Sequence, residues 1–451
     1  MRPLHLDRLL LTICLLGSIS LSVLAGGVKK QVPKPEPDLE FSFYGQTLRA
    51  AGLKPVKLKS VYQNDVAAAW REYQKRDIAP LLSSFRTLTE QMGLNDWFVF
   101  RLVREYSEGL LPDAEPMDRV LLEHYLLVEL GYDVRLARTE NQLLLMVPFE
   151  QEVYERFFIN LDGREYYLFF DGLEGDPDEI SVIQPCDPSK KDAGKGRVFS
   201  LLFDDKSLSV SSGESRLCDF DDGTIHVSCS VDPGIIRMLR DYPLLNVQCY
   251  ASSVVLPQFQ ESILEQLSTQ LAEMSQCDAA DALLHFVQHV FGYEEDTEQY
   301  GAEKVNFVEE SFFYDKNDCE DRSILYAFLV QSLLGLDVQF VEYPGHECTA
   351  VRFTDCNPRG NGYYYGEDYY LICDPSYIDA TIGRCMPKYR AVQPTVKTMT
   401  AVLASSNNET TLLPRLDRHL VLPKVSVEII DAPEGDSLND TTRAVSWKMT
   451  F

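Results

Sequence analysis

One cysteine of this chain stands where a polar loop turns into an apolar segment. Cys319 lies within the polar run Asp315–Ser323, and the run Ile324–Val330 that follows is almost wholly apolar. An apolar segment of this kind predicts a helix buried in a core, which Gly335 is well placed to end. The thiol would lie at the first turn of that helix, whose positive end stabilises a thiolate. Cys319 is therefore the candidate nucleophile.

Three carboxylates beside this cysteine act against its ionisation. Asp318, Glu320 and Asp321 would place negative charge close to the sulfur, and negative charge disfavours the thiolate. A reactive Cys319 therefore needs a cation nearby, and an imidazolium is the usual one. His346, which opens a predicted strand after the helix, is the candidate base.

The order of the predicted strands brings a carboxylate to this histidine. His346 begins the second of three strands, and the third strand, Tyr369–Cys373, runs back antiparallel to it and ends at Asp374. Neighbouring strands are about 5 Å apart, so Asp374 should return beside His346. Cys319, His346 and Asp374 would then be the nucleophile, base and orienting carboxylate of an acyl-transfer thiol enzyme.

This arrangement resembles the transglutaminase-like superfamily of cysteine enzymes. The motifs Asp318–Ser323 and Tyr343–His346, followed by Asp374-Pro375, look like a secreted bacterial branch of it, and the resemblance spans roughly residues 260–386. It implies an α+β fold with a papain/transglutaminase-like core, in which the helix that carries the cysteine packs on an antiparallel sheet. It also implies an activity on peptide or carboxamide bonds.

The sequence departs from better-known members of the superfamily at two places. Those members often carry Gly-x-Cys and His-Ala-Trp, whereas here Asn317-Asp318 precede the cysteine and Glu347-Cys348 follow the histidine. The first difference concerns the turn above the thiol, and the second leaves the substrate class open.

Other readings of these residues remain. Gln288, on the preceding predicted helix, is a candidate to form an oxyanion hole with the amide of Cys319. Cys319 as a buried structural thiol is the plainest alternative. A zinc site of Cys319, His346 and Asp374 would lack a fourth ligand at short spacing, so we predict no metal and no cofactor.

The expected reaction is hydrolysis of a protein or peptide substrate. Transfer of the acyl group to an amine is equally compatible with the three side chains, but water is abundant and the sequence shows no amine pocket. A protein on the same fold that does not catalyse, and that acts as a binding or scaffold protein of the cell envelope, is the alternative. The sequence leaves the oligomeric state undecided.

The length, the net charge and the N-terminal segment restrict the classes of protein to which this chain can belong. At 451 residues the chain suffices for two or three domains, and its net charge of -27 argues against binding nucleic acid or anionic membranes. The segment 1–25 has the arginines, apolar run and small-residue end of a signal peptide. We therefore expect a secreted or periplasmic protein with no integral membrane segment after the signal is removed.

Pattern changes along the chain predict its domains. After the signal peptide we expect a leader (26–63), a degenerate transglutaminase-like domain (64–180), a β-rich module (181–256), the catalytic domain (257–390) and a β-rich tail (391–451). The β-rich module includes a turn signal at Asp232-Pro233-Gly234.

The degenerate domain is predicted from an internal similarity. Its helix and strand patterns follow those around Cys319, but Pro116 stands where the cysteine would be and Gln142 where the histidine would be, while Asp171 matches Asp374. Without nucleophile and base this copy could not run the same reaction. Two unrelated helix-plus-sheet units are the alternative.

Overall fold

The structure, a computed structural model, describes residues 36–169, 182–188, 194–203 and 208–399, and the backbone of two further strands at 424–431 and 443–450. The predicted signal peptide, residues 1–25, lies outside the described residues. So do residues 26–35 of the predicted leader.

The rest of the predicted leader contains a β-hairpin. Its strands are β1 (Leu39–Phe43) and β2 (Gln46–Ala50). Phe41 and Phe43 are buried while the residues between and before them are more exposed, which gives β1 one apolar face. The ring of Phe41 lies 5.6 Å from that of Tyr106. This hairpin therefore packs on the helices that follow.

Helices and then a sheet make up the first half of the chain. The helices are α1 (Gln63–Tyr73), α2 (Ala79–Met92), α3 (Asp96–Leu110) and α4 (Pro116–Glu129). The strands are β3 (Arg135–Arg138), β4 (Leu143–Val147), β5 (Phe158–Leu161), β6 (Arg164–Phe169) and β7 (Val182–Pro185). Buried apolar residues on α3, α4 and β4 form part of the main core.

The middle of the chain holds one hairpin and a series of helices. The hairpin strands are β8 (Arg216–Asp221) and β9 (His226–Val231). The helices are α5 (Pro233–Arg240), α6 (Val247–Ala251), α7 (Pro257–Leu271), α8 (Gln276–Val290), α9 (Asp296–Gln299), α10 (Val308–Phe313) and α11 (Cys319–Leu334).

The sequence Asp232-Pro233-Gly234, read as a turn signal, begins helix α5. Asp232 is the N-cap residue and its side chain accepts a hydrogen bond from the Gly234 amide, while Pro233 occupies the first helical position. Asp before Pro is also a helix start, because Asp caps the free amides and Pro loses no hydrogen bond there. The module predicted to be β-rich therefore contains helices α5 and α6 as well.

A second sheet follows α11. Its strands are β10 (Asp337–Tyr343), β11 (His346–Arg352), β12 (Gly362–Tyr365), β13 (Asp368–Cys373) and β14 (Thr395–Thr398), in the order β12-β13-β11-β10-β14. A short 3₁₀ helix, Pro387–Tyr389, precedes β14. The last two strands, β15 (Lys424–Asp431) and β16 (Arg443–Thr450), join the first sheet instead, in the order β15-β16-β7-β3-β4-β6-β5.

The fold is a mixture of helices and antiparallel sheets. Each pairing between named strands in the described part of the chain is antiparallel. This is the α+β class that the sequence predicted. The described residues from 36 onward belong to one compact unit. No helix in the described residues has the length and apolar character needed to cross a membrane.

The two large sheets share strand order and register. Without β15 and β16 the first reads β7-β3-β4-β6-β5, and the second reads β14-β10-β11-β13-β12. Counterparts in the paired strands include Leu136 and Phe340, Leu145 and Thr349, and Phe169 and Cys373. One offset of 204 residues (340 less 136, 349 less 145, 373 less 169) relates all of them.

The same offset bears on the predicted internal repeat. It carries Gln142 onto His346, and Pro116 is the first residue of α4 as Cys319 is of α11. Asp171, the predicted counterpart of Asp374, lies outside the described residues. The common strand order and register favour an internal repeat, and the repeat is our interpretation of that similarity.

Helix α11 packs on one face of the second sheet. Apolar residues of this helix, such as Ile324 and Phe328, join Phe340 and Val351 in the main core. The opposite face of the sheet has its own cluster, which includes Cys348 and Tyr389. Gly335 ends the helix with φ 64°, as its position predicted. A disulfide, Cys277–Cys356, ties the start of α8 to the loop after β11.

Candidate active site

The start of α11 holds the candidate nucleophile against strand β11. Cys319 is the first residue of the helix and is half-buried, and the N-cap Asp318 accepts a hydrogen bond from the Asp321 amide. The Ser323 hydroxyl lies 2.7 Å from the carbonyl oxygen of Cys319 and 3.3 Å from that of Glu347. The Glu347 amide also donates to the thiol sulfur. Cys319 is therefore beside the residue that follows His346.

The structure brings His346 and Asp374 together. Nε2 of the imidazole lies 2.9 Å from Oδ2 of the carboxylate, and the two side chains are 7% and 2% exposed. The other carboxylate oxygen accepts the backbone amides of Ser376 and Tyr377. A carboxylate only accepts hydrogen bonds, so in the neutral ring Nε2 carries the proton and Nδ1 is the basic nitrogen.

The thiol of Cys319 is hydrogen-bonded to a carboxylate. Its sulfur lies 3.0 Å from Oε2 of Glu320, and among the described residues it forms no hydrogen bond with His346. Burial, together with the negative charges of Glu320 and Asp318, raises the pKa of the Cys319 thiol well above its ordinary value. The sulfur in this arrangement is therefore a neutral thiol.

Gln288 is directed to the loop that follows β13. Its side-chain nitrogen donates to the carbonyl oxygens of Asp374 and Ala380, at 3.0 Å each, and the residue is 2% exposed. Both N–H groups of this amide are thus in use. A part in an oxyanion hole would require one of these hydrogen bonds to break, so Gln288 here holds the loop that carries Asp374.

A buried arginine, which was not among the predicted site residues, joins the same elements. Arg322 is 1% exposed, and its guanidinium donates to the carbonyl oxygens of Gln288, Phe291 and Pro375. It connects the first turn of α11 to the end of α8 and to the residue after Asp374. A charged residue at the head of an apolar helix was the available signal, because a charge in a core needs partners.

Carboxylates are buried together under the first turn of α11. Ligand atoms of Asp296, Asp318 and Asp321 lie within 4.8 Å of one another. Burial raises the pKa of Asp296 to about 7, and burial with mutual repulsion raises those of Asp318 and Asp321 well above their ordinary values. Such oxygens are the ligands that Ca²⁺ and Mg²⁺ prefer, so these three residues have the chemistry to hold a divalent cation.

A second group of possible ligands surrounds the histidine. His346, Cys348 and Asp374 also offer ligand atoms within 4.8 Å of one another. Nitrogen, sulfur and carboxylate ligands suit a transition metal such as zinc. Cys348 is fully buried on the sheet face opposite α11, and Asp374 already accepts a hydrogen bond from the imidazole.

An aromatic stack covers the outer face of the histidine ring. The ring of Tyr389 lies 5.4 Å from that of His346 with an angle of 4° between the planes. The ring of Tyr343 stacks on Tyr389 in turn, at 4.6 Å and 13°. No sequence pattern points to Tyr389, because it reaches the site from a 3₁₀ helix distant in the chain.

Comparison with known proteins adds no information on the site. No protein-family model matches this chain, and no curated protein matches it.

Proposed function

We propose that this protein is an exported thiol enzyme with a papain/transglutaminase-like core, and that it hydrolyses peptide or carboxamide bonds. The observation that carries the proposal is the buried hydrogen bond between His346 and Asp374, at 2.9 Å, beside a helix that begins at Cys319. A carboxylate that orients an imidazole next to a thiol at a helix start is the arrangement that nucleophilic acyl transfer requires.

In the proposed reaction the sulfur of Cys319 attacks the carbonyl carbon while Nδ1 of His346 takes the thiol proton. The tetrahedral intermediate collapses to a thioester, and the imidazolium returns that proton to the departing amine. Water then attacks the thioester with His346 as base, which releases the carboxylic acid and restores the thiol. Asp374 keeps Nε2 protonated and stabilises the imidazolium at both stages.

This mechanism requires the sulfur to change its partner. The thiol now donates to Glu320, so the side chain of Cys319 must rotate to reach Nδ1 of His346. The raised pKa of the thiol means that the imidazole acts as a general base during attack, since few thiolates exist beforehand. Hydrolysis is preferred to amine transfer because water is abundant.

The test uses fluorescein-labelled casein as a general protein substrate, with and without dansylcadaverine as an amine acceptor. The wild-type protein should release labelled peptides, and Cys319→Ala should not. Cys229→Ala removes a buried cysteine in β9 and is the matched control, which should behave as wild type. Dansyl incorporation without peptide release would replace hydrolysis by amine transfer. Equal release by wild type and Cys319→Ala would contradict a catalytic role for Cys319.

The second candidate is a binding or scaffold protein of the cell envelope that does not catalyse. The hydrogen bond from Cys319 to Glu320 and the raised thiol pKa favour it. This candidate predicts that His346→Ala leaves the rate of Cys319 alkylation by iodoacetamide unchanged at pH 7. The enzyme predicts a rate about tenfold lower in that variant, because the base that takes the proton is gone.

A further inference from the structure

The histidine ring of the site has one face covered by a residue that no sequence motif indicates. The planes of the Tyr389 and His346 rings are 4° apart with centroids separated by 5.4 Å, so the rings lie nearly parallel. Tyr389 is 6% exposed. Its other neighbour in the stack is Tyr343, the residue that ends β10 opposite His346.

Tyr389 is held in place at both ends. Its hydroxyl donates to the carbonyl oxygen of Pro344 at 3.1 Å, and Pro344 belongs to the turn that leads into His346. Behind it, Arg390 donates to the carbonyl of Cys385, and the Cys385 amide donates to the Asn361 side chain. The ring that faces the imidazole therefore has little freedom to move.

The orientation of the imidazole decides whether it serves as a base. Rotation by half a turn about its bond to Cβ would take Nε2 away from Asp374, and the carboxylate would no longer hold the proton on that nitrogen. A flat ring stacked on the imidazole resists that rotation, because a rotating ring must sweep through the space that Tyr389 fills.

We propose that Tyr389 is a positioning residue that keeps His346 in the orientation in which Nε2 donates to Asp374 and Nδ1 serves as the base. This inference rests on the proposed function for its catalytic consequence, and on the geometry alone for its effect on the ring. The titratable groups around the stack include Asp374 and Cys348 beside His346, and Cys385, whose sulfur lies 3.9 Å from the Tyr343 hydroxyl. The ammonium of Lys388 lies 4.5 Å from the centre of the Tyr389 ring.

The test compares two kinds of variant of the full chain, one that keeps an aromatic ring at position 389 and one that removes it. Tyr389→Phe retains the flat ring and loses only the hydroxyl, whereas Tyr389→Leu removes the stack. Tyr389→Met, which fills more of the space with a flexible chain, is the second variant should the leucine variant fail to fold. The tautomer of His346 is read from nitrogen chemical shifts of protein with labelled histidine, and the signal is assigned by its loss in His346→Gln.

We expect wild type and Tyr389→Phe to show the single Nε2–H tautomer, and Tyr389→Leu or Tyr389→Met to show a mixture. For casein, the kcat of the variants without the ring should fall at least tenfold, while their KM stays within about twofold of wild type. Tyr389→Phe should keep the kcat of wild type. A single Nε2–H tautomer in the folded leucine or methionine variant would overturn the proposal. If wild type has no turnover, the proposed function fails, and the tautomer measurement still decides the role of Tyr389.

Discussion

The thiol of Cys319 lies 3.0 Å from a carboxylate oxygen of Glu320, its neighbour in the first turn of α11. The positive end of a helix favours a thiolate, yet here burial and, after it, the adjacent carboxylates outweigh that effect and raise the pKa of the thiol. The N-terminal position of a cysteine therefore does not by itself make it reactive. The residues around it decide the sign of the shift.

Replacement of Glu320 should make the thiol more acidic. Glu320→Gln removes one negative charge beside the sulfur, so the pKa of Cys319 should fall and more thiolate should exist at pH 7.5. If the pKa of the thiol falls by one, the rate of iodoacetamide labelling at this pH should rise up to about tenfold. Mass spectrometry of the peptide that contains Cys319 measures that rate.

Glu294→Gln provides the control for this prediction, because it makes the same change of charge in the loop between α8 and α9, where Glu294 pairs with Lys316. It should leave the labelling rate within about twofold of wild type. A rate for Glu320→Gln no higher than that of this control would show that Glu320 does not suppress the thiolate.

Replacement of Asp374 should remove most of the activity. Asp374→Asn keeps the size of the side chain but loses the charge that orients and stabilises the imidazolium, so casein turnover should fall on the order of 100-fold or more. Asp368→Asn, at the exposed opposite end of β13, is the control and should retain wild-type turnover. Comparable turnover in both variants would mean that Asp374 does not assist His346.

Replacement of Arg322 should destabilise the fold. Arg322→Met leaves the three carbonyl oxygens of Gln288, Phe291 and Pro375 without their donor, which at about 1 kcal/mol each corresponds to about 3 kcal/mol. Urea unfolding measures the loss of free energy. Arg49→Met, on strand β2 with a side chain 68% exposed, should change the free energy of unfolding by less than about 0.5 kcal/mol.

The stability of the protein should depend on the protonation of Glu309. Burial raises the pKa of Glu309 to about 7 from its ordinary 4.5. The folded state therefore holds this proton more tightly than the unfolded state, and the protonated carboxyl stabilises the fold. That contribution is complete below the pKa of the unfolded state and is lost as the pH rises through about 7. The difference in pKa corresponds to about 3 kcal/mol.

Glu309→Gln removes this titration and keeps an acceptor for the Leu256 amide and the Gln260 side chain. Urea unfolding at pH 5 and pH 8 should show the variant losing less stability than wild type as the pH rises. Glu273→Gln, an exposed change after α7, should follow wild type. Parallel pH profiles for wild type and Glu309→Gln would contradict a raised pKa at this residue.

The sequence by itself determined the local elements and the strand order of the candidate site. The change from polar to apolar residues at Cys319 indicated the helix start, Gly335 its end, and the succession of three strands the return of Asp374 to His346. These features follow from hydrophobic periodicity, turn chemistry and the alternation of antiparallel strands. All of them act over short stretches of chain.

Only the tertiary structure decided the partners of each side chain. The thiol could have faced His346 or Glu320, and the Gln288 amide could have faced the cleft or the loop after β13. Tyr389 reaches the histidine from a distant segment. Strand β16 pairs with β7 of the first sheet, far away in sequence. Such contacts depend on how whole elements pack and on which buried polar groups need partners, so no local pattern encodes them.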